Sequence, residues 1–253
     1  MRIAVFIWGG EEKSLYREAL RRFGRERAGA VIFSDTPDID HGELHYLRFW
    51  AKDREERFDL LFHNVDDGAR FAAAFPYIAG HHGVLFFGDI YLHRFARAMS
   101  HSALDGWGYR WILGVTCPRQ ADALARLAQE GIAPGVLAKM VPLGRALAVR
   151  SAAVVVKDFD VARALGAGSE MPPVSVIPPP DKKGGECFAA TLERMIPHWF
   201  ERMPEARRTI PPLEHPHRDL LQVERARVRV RLGDFDPALT AAALERLDEL
   251  FGE

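Results

Sequence analysis

The residues best placed to do chemistry in this sequence are carboxylates and imidazoles that follow short apolar runs. Phe58-Asp59-Leu60-Leu61-Phe62-His63-Asn64 leads into Val65-Asp66-Asp67-Gly68, and Gly83-Val84-Leu85-Phe86-Phe87-Gly88 leads into Asp89, with His93 four residues on. A carboxylate at a cleft rim can take a proton from a hydroxyl, and a nearby imidazole can take or return one. Asp89 and His93 are therefore the candidate catalytic groups, with His63 a lesser one. His63, Asn64, Asp66, Asp67 and Gly88 are candidate ligand contacts, together with Gly9 and Gly10 after the first apolar run. Asp66, Asp67 and Asp89 also suit helix N-caps, a role that does not exclude ligand contact.

Other patterns carry less. Gly9-Gly10 stands where dinucleotide-binding folds place a phosphate-binding turn, and Asp35 where an acid would hold a ribose hydroxyl. The full G-x-G-x-x-G is missing, and Glu11 and Glu12 put negative charge where a phosphate would bind. His41 and His45 are four apart and would share a helix face, but no third ligand is evident, so no metal is expected. Arg225, Arg227, Arg229 and Arg231 alternate with small apolar residues, as in a strand with one cationic face.

The elements that must position these groups follow from hydrophobic period. Ile3 to Trp8, Ala30 to Phe33, Phe58 to His63, Gly83 to Phe87, Ala152 to Val156 and Val174 to Ile177 are apolar without polar alternation. Strands buried on both faces read this way. Amphipathic stretches lie between them, including Leu15, Ala19, Leu20 and Phe23, and then Leu44, Leu47 and Trp50. The alternation predicts an α/β fold, a Rossmann-like sheet of about six mostly parallel strands over residues 1–180. A helical insert fills residues 90–150, with Gly114 to Cys117 a possible short strand. In an open sheet of this kind the carboxyl ends of the strands form the ligand crevice, so Asn64, Asp66, Asp67, Asp89 and His93 converge on one rim.

After Ile177, Pro178-Pro179-Pro180 and Gly184-Gly185 read as a crossing into residues 181–253, a linker and helical extension packing back on the domain. One helix is expected from Glu186 to about Met203, interrupted near Pro197. A second runs from Asp236 as N-cap to Phe251, with Pro237 at its first position. Trp199, Phe200 and Met203 suggest that residues 181–235 fold over the strand ends as a lid.

Composition removes several classes. The chain has 253 residues, 48% hydrophobic, with 34 Lys+Arg against 35 Asp+Glu. Residues 1–180 carry 22 cations against 21 anions and the remainder 12 against 14, which gives no general case for nucleic acid. Cys117 and Cys187 make no disulfide framework, and no run approaches the ~20 apolar residues of a membrane span. A cytoplasmic protein is the expectation.

The two strand segments resemble the N-terminal domain of GT-B glycosyltransferases of the family 4 type. Phe58 to Asn64 is similar to that family's "yDlvvyqlGN" strand, and Gly83 to Phe95 to its "pGvvvLHDyvLhhl" strand and helix. Ala148 to Lys157 and Val174 to Pro178 are similar to the two strands that close the domain. The resemblance covers about residues 1–180. The family's histidine before the aspartate is Gly88 here, while Asp89 is kept. Its nucleotide-sugar site lies mainly on a second domain of about 150 residues, an ordinary domain size, whereas 73 residues follow Pro180. Glu193 and Glu201 have the spacing of the family's donor-binding acids, without the surrounding motifs.

The resemblance implies a glycosyltransferase-related protein that keeps the acceptor side and binds a glycan, a lipid-linked sugar or a partner without independent catalysis. No cofactor is expected. One alternative is a working glycosyltransferase that binds a nucleotide-sugar in a minimal site or with a separate donor-domain partner, using Asp89 as base. Another is a nucleotide- or dinucleotide-binding protein of Rossmann type.

Overall fold

The computed structural model describes residues 1–9, 14–81, 83–103, 107–131, 136, 139–166, 171–180, 185–209 and 237–251. Seven strands form one sheet: β1 (Ile3–Ile7), β2 (Ala30–Ser34), β3 (Leu44–His45), β4 (Leu60–Val65), β5 (Val84–Phe87), β6 (Ala153–Val156) and β7 (Val174–Val176). Their order is β3-β2-β1-β4-β5-β6-β7, and every neighbouring pair is parallel. The fold is thus the expected α/β Rossmann-like one. Every residue of β1, β4, β5 and β6 is buried, which is why their sequences show no polar alternation.

The side chains divide by the period of two into a core on each face. Ala4, Phe6, Phe33, Leu61, Leu85, Phe87 and Val154 pack on one face, with α2 (Phe49–Glu56), α3 (Phe75–Gly80) and the insert. Ile3, Val5, Ile7, Phe62, Val84, Phe86 and Val155 pack on the other, beneath α1 (Arg17–Glu26). The insert is helical where described: α4 (His93–Ala103), α5 (Trp107–Thr116), α6 (Ala121–Gln129) and α7 (Gly144–Ala148). Gly114 to Thr116 thus belong to a helix and not to a strand. Between β6 and β7 lies α8 (Phe159–Leu165), whose Asp158 N-cap accepts from Val161 N–H at 2.8 Å.

Three expectations need correction. Leu44 and His45 form the two-residue edge strand β3 beside Phe33 and Ser34, so the helical spacing of Leu44, Leu47 and Trp50 is not one helix. His41 and His45 consequently share no helix face: His41 ends a 3-10 turn and contacts Asp38 at 2.8 Å, while His45 caps the next turn. Lastly, α9 (Gly185–Thr209) runs unbroken through Pro197.

Over α9 the lid expectation is not met; residues 181–184 and 210–235 lie outside the described residues. Phe188, Leu192, Ile196 and Trp199 are buried in the same core as β1, β4 and β5, and Arg27, at the C-cap of α1, pairs with Glu193. The helix covers a sheet face, not the strand ends. Four large side chains in one stripe outweigh the hydrogen bond that Pro197 removes from the helix. The last helix, α10 (Pro237–Phe251), packs on α2 across the opposite face, with Ala243 buried and Arg54 2.6 Å from Glu245. Asp236 and the Arg225–Arg231 stripe lie outside the described residues.

Trp199 is fully buried and its neighbour Phe200 is 44% exposed. Trp199→Ala is expected to cost about 3–5 kcal/mol in denaturant unfolding, as for other buried aromatics. Phe200→Ala should change stability by no more than about 0.5 kcal/mol. Equal losses at the two positions would contradict the packing of α9 on the sheet.

Candidate functional site

The strand order reverses beside β1. The chain passes from β1 outward to β2 and β3, then returns to place β4 on the other side of β1. In open parallel sheets the crevice at such a reversal is the ligand-binding place. The residues just past β1, β4 and β5 line it.

Asn64 joins the first two. Its Oδ1 accepts from Trp8 N–H at 2.7 Å, while its Nδ2 donates to Trp8 O at 3.1 Å and Ser14 Oγ at 3.2 Å. The side chain thereby continues the β1–β4 ladder past its last backbone pair. It is completely buried and its amide is fully engaged. Gly9 follows with φ +99°, and its N–H donates to Asp35 at 3.2 Å. A Cβ there would lie 2.5 Å from the Phe71 ring, so both conformation and space require glycine. Asp35, where a dinucleotide-binding fold would hold a ribose hydroxyl, accepts from this turn. Gly10 lies outside the described residues.

Asp66 lies against the turn that leads into α1. Its carboxylate accepts from the Ser14 hydroxyl and from the backbone N–H groups of Leu15 and Asp67. Burial nonetheless raises its pKa from 3.8 to about 6, with the neighbouring Asp89 charge a further cause. Gly88 makes room for it: a Cβ at that position would stand 2.1 Å from Asp66 Oδ2. The glycine found where the resembled family has histidine is therefore coupled to Asp66 by contact.

Asp67 serves the second helix. Its Oδ1 accepts from Arg94 N–H at 2.6 Å and Phe95 N–H at 3.1 Å, so it caps α4 from a distant loop. Asp89 turns onto its own backbone and accepts from Tyr91 N–H at 2.9 Å. Next, Leu92 adopts φ +45°, an unfavourable region for a branched side chain, while completely buried. Tight packing holds this loop: Gly144 N–H donates to Ile90 O at 2.6 Å, and a Cβ on Gly144 would approach that oxygen to 2.9 Å.

The two histidines sit elsewhere. His93 is 5% exposed, with Nδ1 3.0 Å from Tyr109 Oη and Nε2 3.1 Å from Val141 O. The carbonyl needs a donor, so Nε2 carries the proton and Nδ1 accepts from the tyrosine. Burial lowers its pKa and keeps it neutral. It is a strut between α4, α5 and the turn before α7. His63 has no exposure, stacks on Phe6 at 4.5 Å, and accepts from Trp8 Nε1 at Nδ1 over 3.3 Å. Burial and the nearby His81 lower its pKa to about 3.

The structure thus brings Asn64, Asp66, Gly88 and Asp89 to one rim, ties Asp67 and His93 to α4, and places His63 inside the core. Sequence reasoning missed Ser14. The hydroxyl links Asn64 to Asp66, and its only signal was a polar residue between Lys13 and Leu15. Among the described residues no His, Cys, Asp and Glu cluster could hold a metal, and no helix is long and apolar enough to cross a membrane.

This chain matches no known family description, no curated protein and no solved structure. Its chemistry rests on the geometry alone.

Two measurements follow. The unfolded chain binds a proton on His63 below 6.5, whereas the folded chain does not until about 3. Stability should therefore rise with pH between those values, by up to about 1.4 kcal/mol per unit from this group. Asp66 acts in the opposite sense: between 3.8 and about 6 the folded state holds a proton that the unfolded state loses. His63→Gln should remove the rising contribution and leave stability falling with pH over the Asp66 window; an unchanged profile would count against the buried neutral imidazole. Separately, Gly88→Ala should push the Asp66 carboxylate toward water and lower its pKa toward 3.8, followed by carboxyl-carbon NMR titration.

Proposed function

We propose that this chain is a glycosyltransferase-related domain that binds a saccharide through its hydroxyl groups at the β1/β4/β5 rim, without independent catalysis. The observation that carries the reading is that carboxylates of the protein itself line the strand reversal, Asp67 at the start of α4 and Asp66 against the turn before α1. The N-terminus of a helix beside such a crevice ordinarily attracts a phosphate. Here Asp66 takes the Ser14 hydroxyl and the Leu15 N–H of the turn before α1, and Asp67 takes the open N–H groups of α4. A phosphate would meet negative charge and donors already engaged. A neutral polyol meets acceptors for its hydroxyls, which suits the acceptor side of a sugar-transfer site. The resemblance to GT-B N-terminal domains supports the same assignment. It implies that a nucleotide-sugar belongs to a second domain facing this rim, on this polypeptide or on a partner.

A working transferase is favoured by one feature, the raised Asp66 pKa. A carboxylate titrating at about 6 is a better proton acceptor near neutrality than one at its ordinary value. On that reading Asp66 joins Asp89 as a candidate base, on the strength of its raised pKa.

Calorimetry and NMR with a panel of mono- and oligosaccharides, UDP-, GDP- and ADP-sugars, NAD and S-adenosylmethionine test these readings. Saccharide binding is expected, weakened about tenfold by Asp66→Asn, in line with loss of a hydrogen bond to a charged group. No binding of the nucleotides is expected. Micromolar binding of a nucleotide-sugar would favour the transferase, and binding of NAD or S-adenosylmethionine would overturn the assignment.

A further inference from the structure

An exposed aromatic side chain stands at the end of the sheet where the crevice opens. Among the described residues two large exposed apolar side chains are aromatic, Phe159 at 74% and Phe200 at 44%. Phe200 is the neighbour of Trp199 on α9, over a sheet face. Phe159 instead follows β6 by three residues and opens α8. Every strand pair is parallel, so this turn leaves the sheet on the same rim as Asp66 and Asp89.

Contacts on both sides join the turn to the crevice. β5 and β6 pair as far as Phe87 and Val156, so Gly88-Asp89 and Lys157-Asp158-Phe159 leave from neighbouring strands. Such strands lie about 4.8 Å apart. Gly88 is in turn so close to Asp66 that a Cβ there would strike its Oδ2. On the other side, Leu15 N–H donates to Asp66, and the next residue, Tyr16, donates from its hydroxyl to Ile177 O at 2.7 Å. Ile177 N–H donates to Val156 O at 2.9 Å. Burial raises the Tyr16 pKa and the charge of Asp158 raises it further, which puts Asp158 near the same hydroxyl. Asp158 also accepts from Val161 N–H and so fixes the backbone that carries Phe159.

A single exposed phenylalanine needs no explanation by itself. This one stands beside acceptors. A pyranose carries hydroxyls around its edge and C–H bonds on its faces, so a site for it needs polar groups and an apolar surface together. Carboxylates in contact with water gain little by exchanging one hydroxyl partner for another. Covering C–H surface with an aromatic ring adds the apolar contribution that they lack.

We propose that Phe159 is the platform on which a pyranose ring lies by its C–H face while Asp66 and Asp89 accept from its hydroxyls. The assignment rests on the saccharide reading and narrows the ligand class to closed pyranose rings, against open-chain polyols. Because Asp158 caps the turn, the backbone under the platform is set before the ligand arrives.

Titration of the full chain with methyl pyranosides and with the corresponding open-chain alditols tests it. Phe159→Ala should weaken pyranoside binding about tenfold, the upper range for an aromatic contact, and Phe159→Trp should preserve it. The alditols should bind the parent about tenfold more weakly than the pyranosides, having no ring face to cover. Saturation transfer from aromatic protons should reach the ring C–H protons of the bound pyranoside and fall in Phe159→Ala. Since the side chain is exposed, circular dichroism and the denaturation midpoint of both variants should match the parent. If Asp66→Asn weakens pyranoside binding and Phe159→Ala does not, the platform is overturned and the saccharide reading stands. Equal binding of alditols, or saturation transfer unchanged by Phe159→Ala, would also overturn the platform alone. Absence of any pyranoside binding to the parent would overturn both.

Discussion

The rim of this protein depends on the side chain of Asn64. The strand order reverses at β1, and the backbone pairing of β1 with β4 ends at Phe6 and His63. Asn64 supplies an acceptor and a donor to Trp8 and reaches Ser14 with the same amide. An unmet buried N–H or C=O costs about 1–3 kcal/mol. The clamp therefore fixes where β1 stops, how the glycine turn leaves it, and where Ser14 stands to meet Asp66.

From that clamp the arrangement of charge follows. Adjacent aspartates after β4 diverge, one to the turn before α1 and one to the start of α4. Asp67 satisfies donors that α4 leaves open, while Asp66 holds the turn that leads into α1. The same two interactions order the loops and give the crevice an anionic lining. Gly88 belongs to this arrangement, since any larger residue would strike Asp66. A structural role and a choice of ligand charge are here carried by one pair of side chains.

The two histidines show how burial changes a chemical assignment. In sequence, His63 and His93 are plausible acid–base groups near strand ends. In space His63 faces Phe6 inside the sheet core, and His93 has both nitrogens engaged between helices. Desolvation disfavours the charged form of each, so neither cycles a proton near neutrality. The same burial acts in reverse on Asp66, raising its pKa toward the range in which a base is useful.

The order of apolar runs by itself determined the parallel α/β sheet, because only strands buried on both faces dispense with polar alternation. It also placed Asn64, Asp66 and Asp89 at strand ends, since topology puts every such end on one rim. It could not separate a two-residue edge strand at Leu44–His45 from a helix turn, because so short a run has no period to read. Nor could it seat α9, whose apolar stripe fits a lid or a sheet face equally well until the face beneath α1 is seen to need covering. Tertiary structure alone decided which polar groups are spent on the fold and which face the crevice. That choice rests on burial and on hydrogen bonds between residues about 50 positions apart, as in Asn64 with Ser14, and sequence spacing carries no record of such distances.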